Sequence, residues 1–287
     1  MTAIVKRTDR TFVDAFGVTI HFHVWEANEP RAVVQVLHGL GEHALRYEAL
    51  ASSLVAEGYT VYADEHRGHG ATGLGQHNGD HSKLGRLGEG GMPATVAAVR
   101  QLTGMIREEN PGLPLVLLGH SWGSIIAQKL INQDASDFAA VILSGTAYRT
   151  PFHMNGGDLS KSHRVAGGTG LEWLSRDVEV QRAFAADPLT FDAKTLELFG
   201  LADSLRLLGR PARNIEHDVP VLIIGGSEDS LPLGPSVKRL ADSYLKRSGL
   251  TDVKVIIYTD ARHEVFNELN RDEVVADVIE WTRSRVA

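Results

Sequence analysis

From residue 32 onward the chain alternates between short, almost uninterrupted apolar runs and longer segments with apolar positions every three to four residues. Residues 32–37, 59–63, 113–118, 139–143 and 219–225 read as strands covered on both faces, since a strand with one wet face would alternate apolar and polar positions. A further strand is predicted at 253–258. Helical spacing marks 46–57, 93–109, 122–133, 236–246 and 272–285, with Gly58 and Asn110-Pro111-Gly112 as stop signals. Ahead of these, 12–16 and 18–25 predict an antiparallel hairpin joined at Gly17, at a sheet edge. A loop rich in glycine and histidine fills 64–91, and the alternation breaks from 145 to about 217. Strand–helix alternation on both sides of a helical insertion predicts an α/β fold. Its central sheet is mostly parallel, with helices on both faces and a helical cap inserted after the sixth strand. Residues 1–145 and 218–287 are then two parts of one core, and 146–217 the cap. Ligands in such sheets bind beyond the carboxyl ends of the strands.

Composition narrows this only a little. The 287 residues suit one domain with an insertion, and a formal charge of −7 argues against nucleic acid as a partner. With no cysteine, the chain has no disulfide, no thiolate-ligated metal and no cysteine nucleophile. The first ten residues lack an apolar signal-peptide core, and no run approaches transmembrane length. The expected setting is the cytoplasm, with peripheral membrane contact left open. Nothing in the sequence speaks to oligomeric state.

The chemistry starts at Gly119-His120-Ser121-Trp122-Gly123, where an apolar strand gives way to a helical pattern. Gly-x-Ser-x-Gly in a strand-to-helix turn is the nucleophile elbow, which lifts the serine hydroxyl above the sheet. The five residues alone are common in a glycine-rich chain; the flanking strand and helix give them meaning. A serine hydroxyl needs a neighbouring base, and the base needs a group to hold its tautomer. In elbow proteins the order is Ser, then Asp or Glu, then His. Of His153, His163, His217 and His263, only His263 lies just past a predicted strand near the chain's end. The acid is expected in Gly226-Ser227-Glu228-Asp229, with Asp229 preferred for its shorter side chain and Glu228 as runner-up; Asp260 is too close to His263 along the chain. His120 reads as a packed neighbour facing away from the nucleophile. Two fixed donors are required for the oxyanion. The Trp122 N–H supplies one, and His38-Gly39-Leu40 nominates the Leu40 N–H as the other. His66, His69, His77 and His81 read as a solvated loop, since intervening glycines oppose a helix and no acidic pair completes a zinc site. The glycines of 68–91 lack a phosphate-binding ending. No metal and no cofactor is expected.

Taken together, residues 38–43 (HGLGEH) with Arg46-Tyr47, residues 64–70 (DEHRGHG), the elbow, Asp229 and Arg262-His263-Glu264 resemble the serine α/β-hydrolases of the monoacylglycerol lipase and lysophospholipase branch. Asn110-Pro111-Gly112-Leu113-Pro114 is also similar. The resemblance covers both halves of the core and is loose across the cap. It implies the α/β-hydrolase fold and an esterase or lipase acting on single-chain glycerides, with Ser121, Asp229 and His263 as triad. Trp122 and the missing proline directly after Asp229 depart from that branch, and Trp122-Gly123-Ser124 resembles the elbow of proline iminopeptidases. In the cap, Leu198, Leu201, Leu205 and Leu208 share a helical face that packs on the core or walls an acyl tunnel, with Phe152, Met154, Trp173 and Leu174 lining it or touching lipid. Transient membrane or micelle contact through the cap belongs to the same expectation. The rivals are an amide or thioester hydrolase on the same triad and a hydrolase-fold binding protein without turnover. Dehalogenases and epoxide hydrolases use an aspartate where this chain has Ser121.

Overall fold

The computed structural model describes residues 6–286. Residues 1–5, part of the N-terminal stretch read for a signal sequence, and residue 287 lie outside the described residues. Eight strands form one sheet in the order β1-β2-β4-β3-β5-β6-β7-β8. They are β1 Arg7–Val13, β2 Thr19–Trp25, β3 Ala32–Leu37, β4 Tyr59–Asp64, β5 Leu115–His120, β6 Ala140–Ser144, β7 Val221–Gly226 and β8 Val253–Tyr258. The pairs β1–β2 and β2–β4 are antiparallel, and the other adjacent pairs named in this order are parallel. The hairpin stands where the sequence puts it, although β1 begins five residues earlier and Phe16 is exposed in the turn. Its polar residues 7–11 hide the strand from an apolar-run reading.

The α-helices among the described residues are α1 Glu48–Ala56, α2 Gly70–Gln76, α3 Gly91–Glu109, α4 Trp122–Gln133, α5 Val178–Ala186, α6 Thr195–Arg206, α7 Ser236–Ser243 and α8 Arg271–Arg283. Strand periodicity of two divides the core cleanly. Val33, Leu37, Leu115, Leu117, Val141, Leu143, Val221 and Ile223 pack with residues of α3 and α4. Their neighbours Val34, Val36, Val116, Leu118, Ala140, Ile142, Leu222 and Ile224 pack with residues of α1 and α8. Each apolar run is therefore buried on both faces, as its unbroken hydrophobicity requires. Helix α2 corrects the reading of 64–91 as loop: three glycines in seven residues mask it, and Thr72 and Gly73 bury against the core.

Between β6 and β7 lie a 3-10 turn, Leu159–Ser162, and helices α5 and α6. Gly200 (φ 68°, ψ 176°) breaks α6, so the leucines do not share one continuous stripe. Leu201 and Leu205 are 68% and 57% exposed, while Leu198 and Phe199 turn inward on the other side of the break and Leu207 is buried. Among the described residues no helix is long and apolar enough to cross a membrane.

Candidate active site

The elbow is built by exclusion of side chains. A Cβ on Gly119 would lie 2.5 Å from the Gly123 carbonyl oxygen, and one on Gly123 would lie 2.1 Å from the Leu37 oxygen. Helix α4 therefore starts in contact with the end of β3, and Ser121 is forced to φ 51°, ψ −118°. Such a backbone costs a non-glycine residue on the order of 1–3 kcal/mol. The serine N–H donates to Ser144 O on β6 (2.9 Å), which helps hold the turn.

Two loops from neighbouring parallel strands supply the other groups. Gly226 ends β7, and a Cβ there would fall 2.0 Å from Ala261 O, so the loop after β8 folds directly onto it. Glu228 N–H donates to the same oxygen (2.9 Å). This brings the His263 Nδ1–H to Asp229 Oδ1 at 2.9 Å, with both side chains almost fully buried. Asp229 Oδ1 also accepts the Leu231 N–H, while Glu228 is exposed. His263 Nε2 is buried and has no hydrogen-bond partner among the described residues. The imidazole packs between His120 (centroids 4.8 Å apart) and Trp173 (5.2 Å). His120, next to the serine, turns its Nδ1 to Ser144 Oγ (3.2 Å).

The loop after β3 lies against the serine: a Cβ on Gly39 would sit 3.2 Å from Ser121 Cβ. Among the described residues the N–H groups of Leu40 and Trp122 donate to no protein acceptor. Histidines flank this loop. His38 Nδ1–H donates to Gly39 O (2.7 Å), His69 Nε2 accepts the Gly41 N–H (3.4 Å), and the His38 ring stacks on His66 (4.1 Å). The Trp122 ring is buried between His66, His69 and Phe199.

The segment between β6 and β7 docks on both loops. Trp173 O and Leu174 O accept the N–H groups of His263 (3.3 Å) and Glu264 (2.8 Å). Phe191 N–H donates to Gly41 O (3.0 Å), and His43 Nε2 pairs with Asp187 (2.8 Å). Of the residues read as lining an acyl site, Trp173, Leu174 and Leu198 lie at or near this junction. Met154 bridges to Pro232 beside the Asp229 loop. Phe152 does not line a site: in the turn at 150–154 it is 85% exposed. Leu201 and Leu205 face solvent for the reason given above. Phe191 and Phe199, which approach His69 and Trp122, carried no sequence signal, because the residues between β6 and β7 follow no motif. His77 and His81 do not share a helical face; each bonds a backbone carbonyl, at Arg86 and Pro188.

Burial lowers the His263 pKa, but the charge and hydrogen bond of Asp229, with Glu264 and Glu42 behind, hold it above the ordinary histidine value. Burial pushes His120 to about 4 and His69 to about 3, and His38 well below its usual range. Two pH effects of different origin follow. For hydrolysis, kcat/KM should rise with pH as His263 gives up its proton, with a midpoint above roughly 6.5; a flat profile between pH 5 and 8 would contradict the assignment of the base. For stability, the three depressed histidines bind protons only when unfolded. Their contribution is complete above the unfolded pKa and is lost as pH falls through the window below it, by about 1.4 kcal/mol per unit for each group. Urea midpoints should therefore drop between about pH 6.5 and 4. An unchanged midpoint there would mean that these rings are charged or hydrated in the native state.

A serine on a strained elbow after β5, an acid after β7 and a histidine after β8 of a mostly parallel sheet define an α/β-hydrolase. Residues 28–270 match the family described as serine aminopeptidase, S33, and the chain belongs to that family. It is 33% identical to a monoacylglycerol lipase of Mycolicibacterium smegmatis, over 98% of each chain. It is 28% identical to the monoglyceride lipase of Homo sapiens, over 96% of this chain and 90% of the other. Its fold is similar to that of a carboxyl esterase from Bacillus coagulans solved with glycerol (TM-score 0.80, 23% identity, 98% and 99% of the two chains).

Proposed function

We propose that this serine ester hydrolase cleaves monoacylglycerols and related monoacyl esters through an acyl-enzyme on Ser121, without a cofactor. The observation that carries the reading is the buried Asp229–His263 hydrogen bond beside a loop and elbow; among the described residues Nε2 has no partner and the Leu40 and Trp122 N–H groups have no acceptor. His263 Nε2 takes the Ser121 proton as Oγ bonds to the ester carbonyl carbon. The Leu40 and Trp122 N–H groups hold the resulting oxyanion, each worth about 3 kcal/mol of barrier. The proton passes to the leaving glycerol oxygen as the ester C–O bond breaks. Water, deprotonated by the same nitrogen, then releases the fatty acid and restores the serine. Asp229 keeps the proton on Nδ1 and stabilises the imidazolium.

In this reading 146–217 is a cap whose Trp173, Leu174, Leu198 and Phe199, with Met154, wall the acyl chain. The exposed Phe152, Leu196, Leu201 and Leu205 rest transiently on a membrane or micelle surface reached from the cytoplasm. An ester is favoured over a free peptide amino terminus because the buried carboxylates of the two loops are engaged. Glu42 and Glu264 bind Arg46, and Glu268 binds Arg176 and the Arg262 N–H. The test compares a long-chain monoacylglycerol, an aminoacyl amide and an acyl thioester. The monoacylglycerol should lead by at least about 100-fold in kcat/KM. A faster amide would overturn the substrate class while leaving the triad in place.

A further inference from the structure

The geometry points to a buried strut, Glu42–Arg46–Glu264, that sets the oxyanion loop at a fixed position relative to the histidine. This inference rests on the roles proposed for Leu40 and His263. Glu42 Oε1 accepts the Gly39 N–H at 2.6 Å and the Tyr47 hydroxyl at 2.7 Å. Its other oxygen receives Arg46 Nη1 at 2.6 Å. The same guanidinium grips Glu264 with two bonds of 2.7 Å, from Nη1 to one oxygen and Nη2 to the other. Glu264 directly follows His263 and is steadied by Asn267 Nδ2 (3.0 Å). Loops 218 residues apart in sequence are thus joined through one planar group.

Each end of this chain adjoins a reacting group. At one end, the Gly39 N–H is the donor next to the Gly39–Leu40 peptide, and a Cβ on Gly39 would meet Glu42 Oε1 at 2.7 Å and Ser121 Cβ at 3.2 Å. Glycine is needed there because the carboxylate and the serine close on it from two sides. At the other end, Glu264 fixes the backbone that carries the imidazole. All three side chains are at least nearly nine-tenths buried. Single-partner pairs at this depth are poor stabilisers, since desolvation offsets their attraction. A bidentate fork with matched acceptors gives instead a defined distance and angle. The Phe184 ring from α5 lies over the guanidinium (4.8 Å) and shields it from water. Glu42, Arg46 and Glu264 are therefore positioning residues: they touch no reacting atom but set two groups that do.

Glu42→Ala removes the acceptor for the Gly39 N–H and leaves the Arg46–Glu264 pair intact. Expected is a fall in kcat of about 30-fold or more, counted per site titrated by a fluorophosphonate, with KM changed less than about 3-fold. Glu42→Gln, which restores an acceptor oxygen, should recover at least about 5-fold of that loss. Arg46→Lys keeps the charge but not the fork, and should lower kcat per titrated site in the same manner. A purely structural role would lower the melting temperature and the number of titratable sites but leave kcat per site unchanged in all three variants; that result overturns the inference. Wild-type protein that is not titrated at all would instead sink the Ser121 mechanism, so the two failures are told apart.

Discussion

Ser121→Ala should lower monoacylglycerol and nitrophenyl-ester hydrolysis on the order of 10⁵-fold or more, to the level set by binding and the oxyanion donors alone. The reason is local. The elbow holds one hydroxyl at φ 51°, where a non-glycine residue is strained, and alanine keeps the Cβ and therefore the same strained turn. Folding should be little changed, with a urea midpoint close to wild type, so the loss reads on chemistry. The Leu40 and Trp122 amides remain, and substrate should still bind with a similar KM. Activity within about 10-fold of wild type would remove Ser121 from the mechanism.

Asp229→Asn should lower kcat by about 10⁴-fold while leaving fluorophosphonate-accessible Ser121 in place. Asp229 Oδ1 receives two donors, His263 Nδ1–H and the Leu231 N–H. An amide at this site presents either a weaker acceptor or a donor, and the second choice puts the imidazole proton on the wrong nitrogen. The charge that keeps His263 above its ordinary pKa is also lost, so the acid limb of the profile should move to lower pH. Glu228→Gln is the matched control: Glu228 is exposed and its carboxylate does not reach the imidazole, so near wild-type turnover is expected. If the Glu228 variant lost activity and the Asp229 variant kept it, the acid would have been misassigned.

Most of this site is legible in the sequence because its geometry is local to single strand ends. The unbroken apolar runs are buried on both faces, and Leu40, Ser121 and Asp229 each follow within three residues of the end of one of them. Gly119 and Gly123 announce contacts too close for a side chain, and the contacts are there. Residues 229 and 263 meet because β7 and β8 are parallel neighbours in the sheet. What the sequence hides is long-range or aperiodic. Glu42 and Arg46 are visible as an i, i+4 pair, but nothing in the spacing says that Glu264 closes the fork. The leucines of α6 look like one stripe until Gly200 breaks the helix, which places Phe199 rather than Leu201 against Trp122. Helix α2 is hidden by its own glycines, among them Gly73, whose Cβ would collide with the Gly68 carbonyl at 2.5 Å.

The most direct measurement is mass-spectrometric mapping of the protein after reaction with a fluorophosphonate bearing a long alkyl chain, with and without competing monoacylglycerol. One adduct is expected, on the peptide holding Gly119 to Gly123 and at Ser121, suppressed by the competitor and formed far more slowly in the Asp229→Asn variant. An adduct on another serine, or none at a reagent concentration that labels other serine esterases, would contradict it.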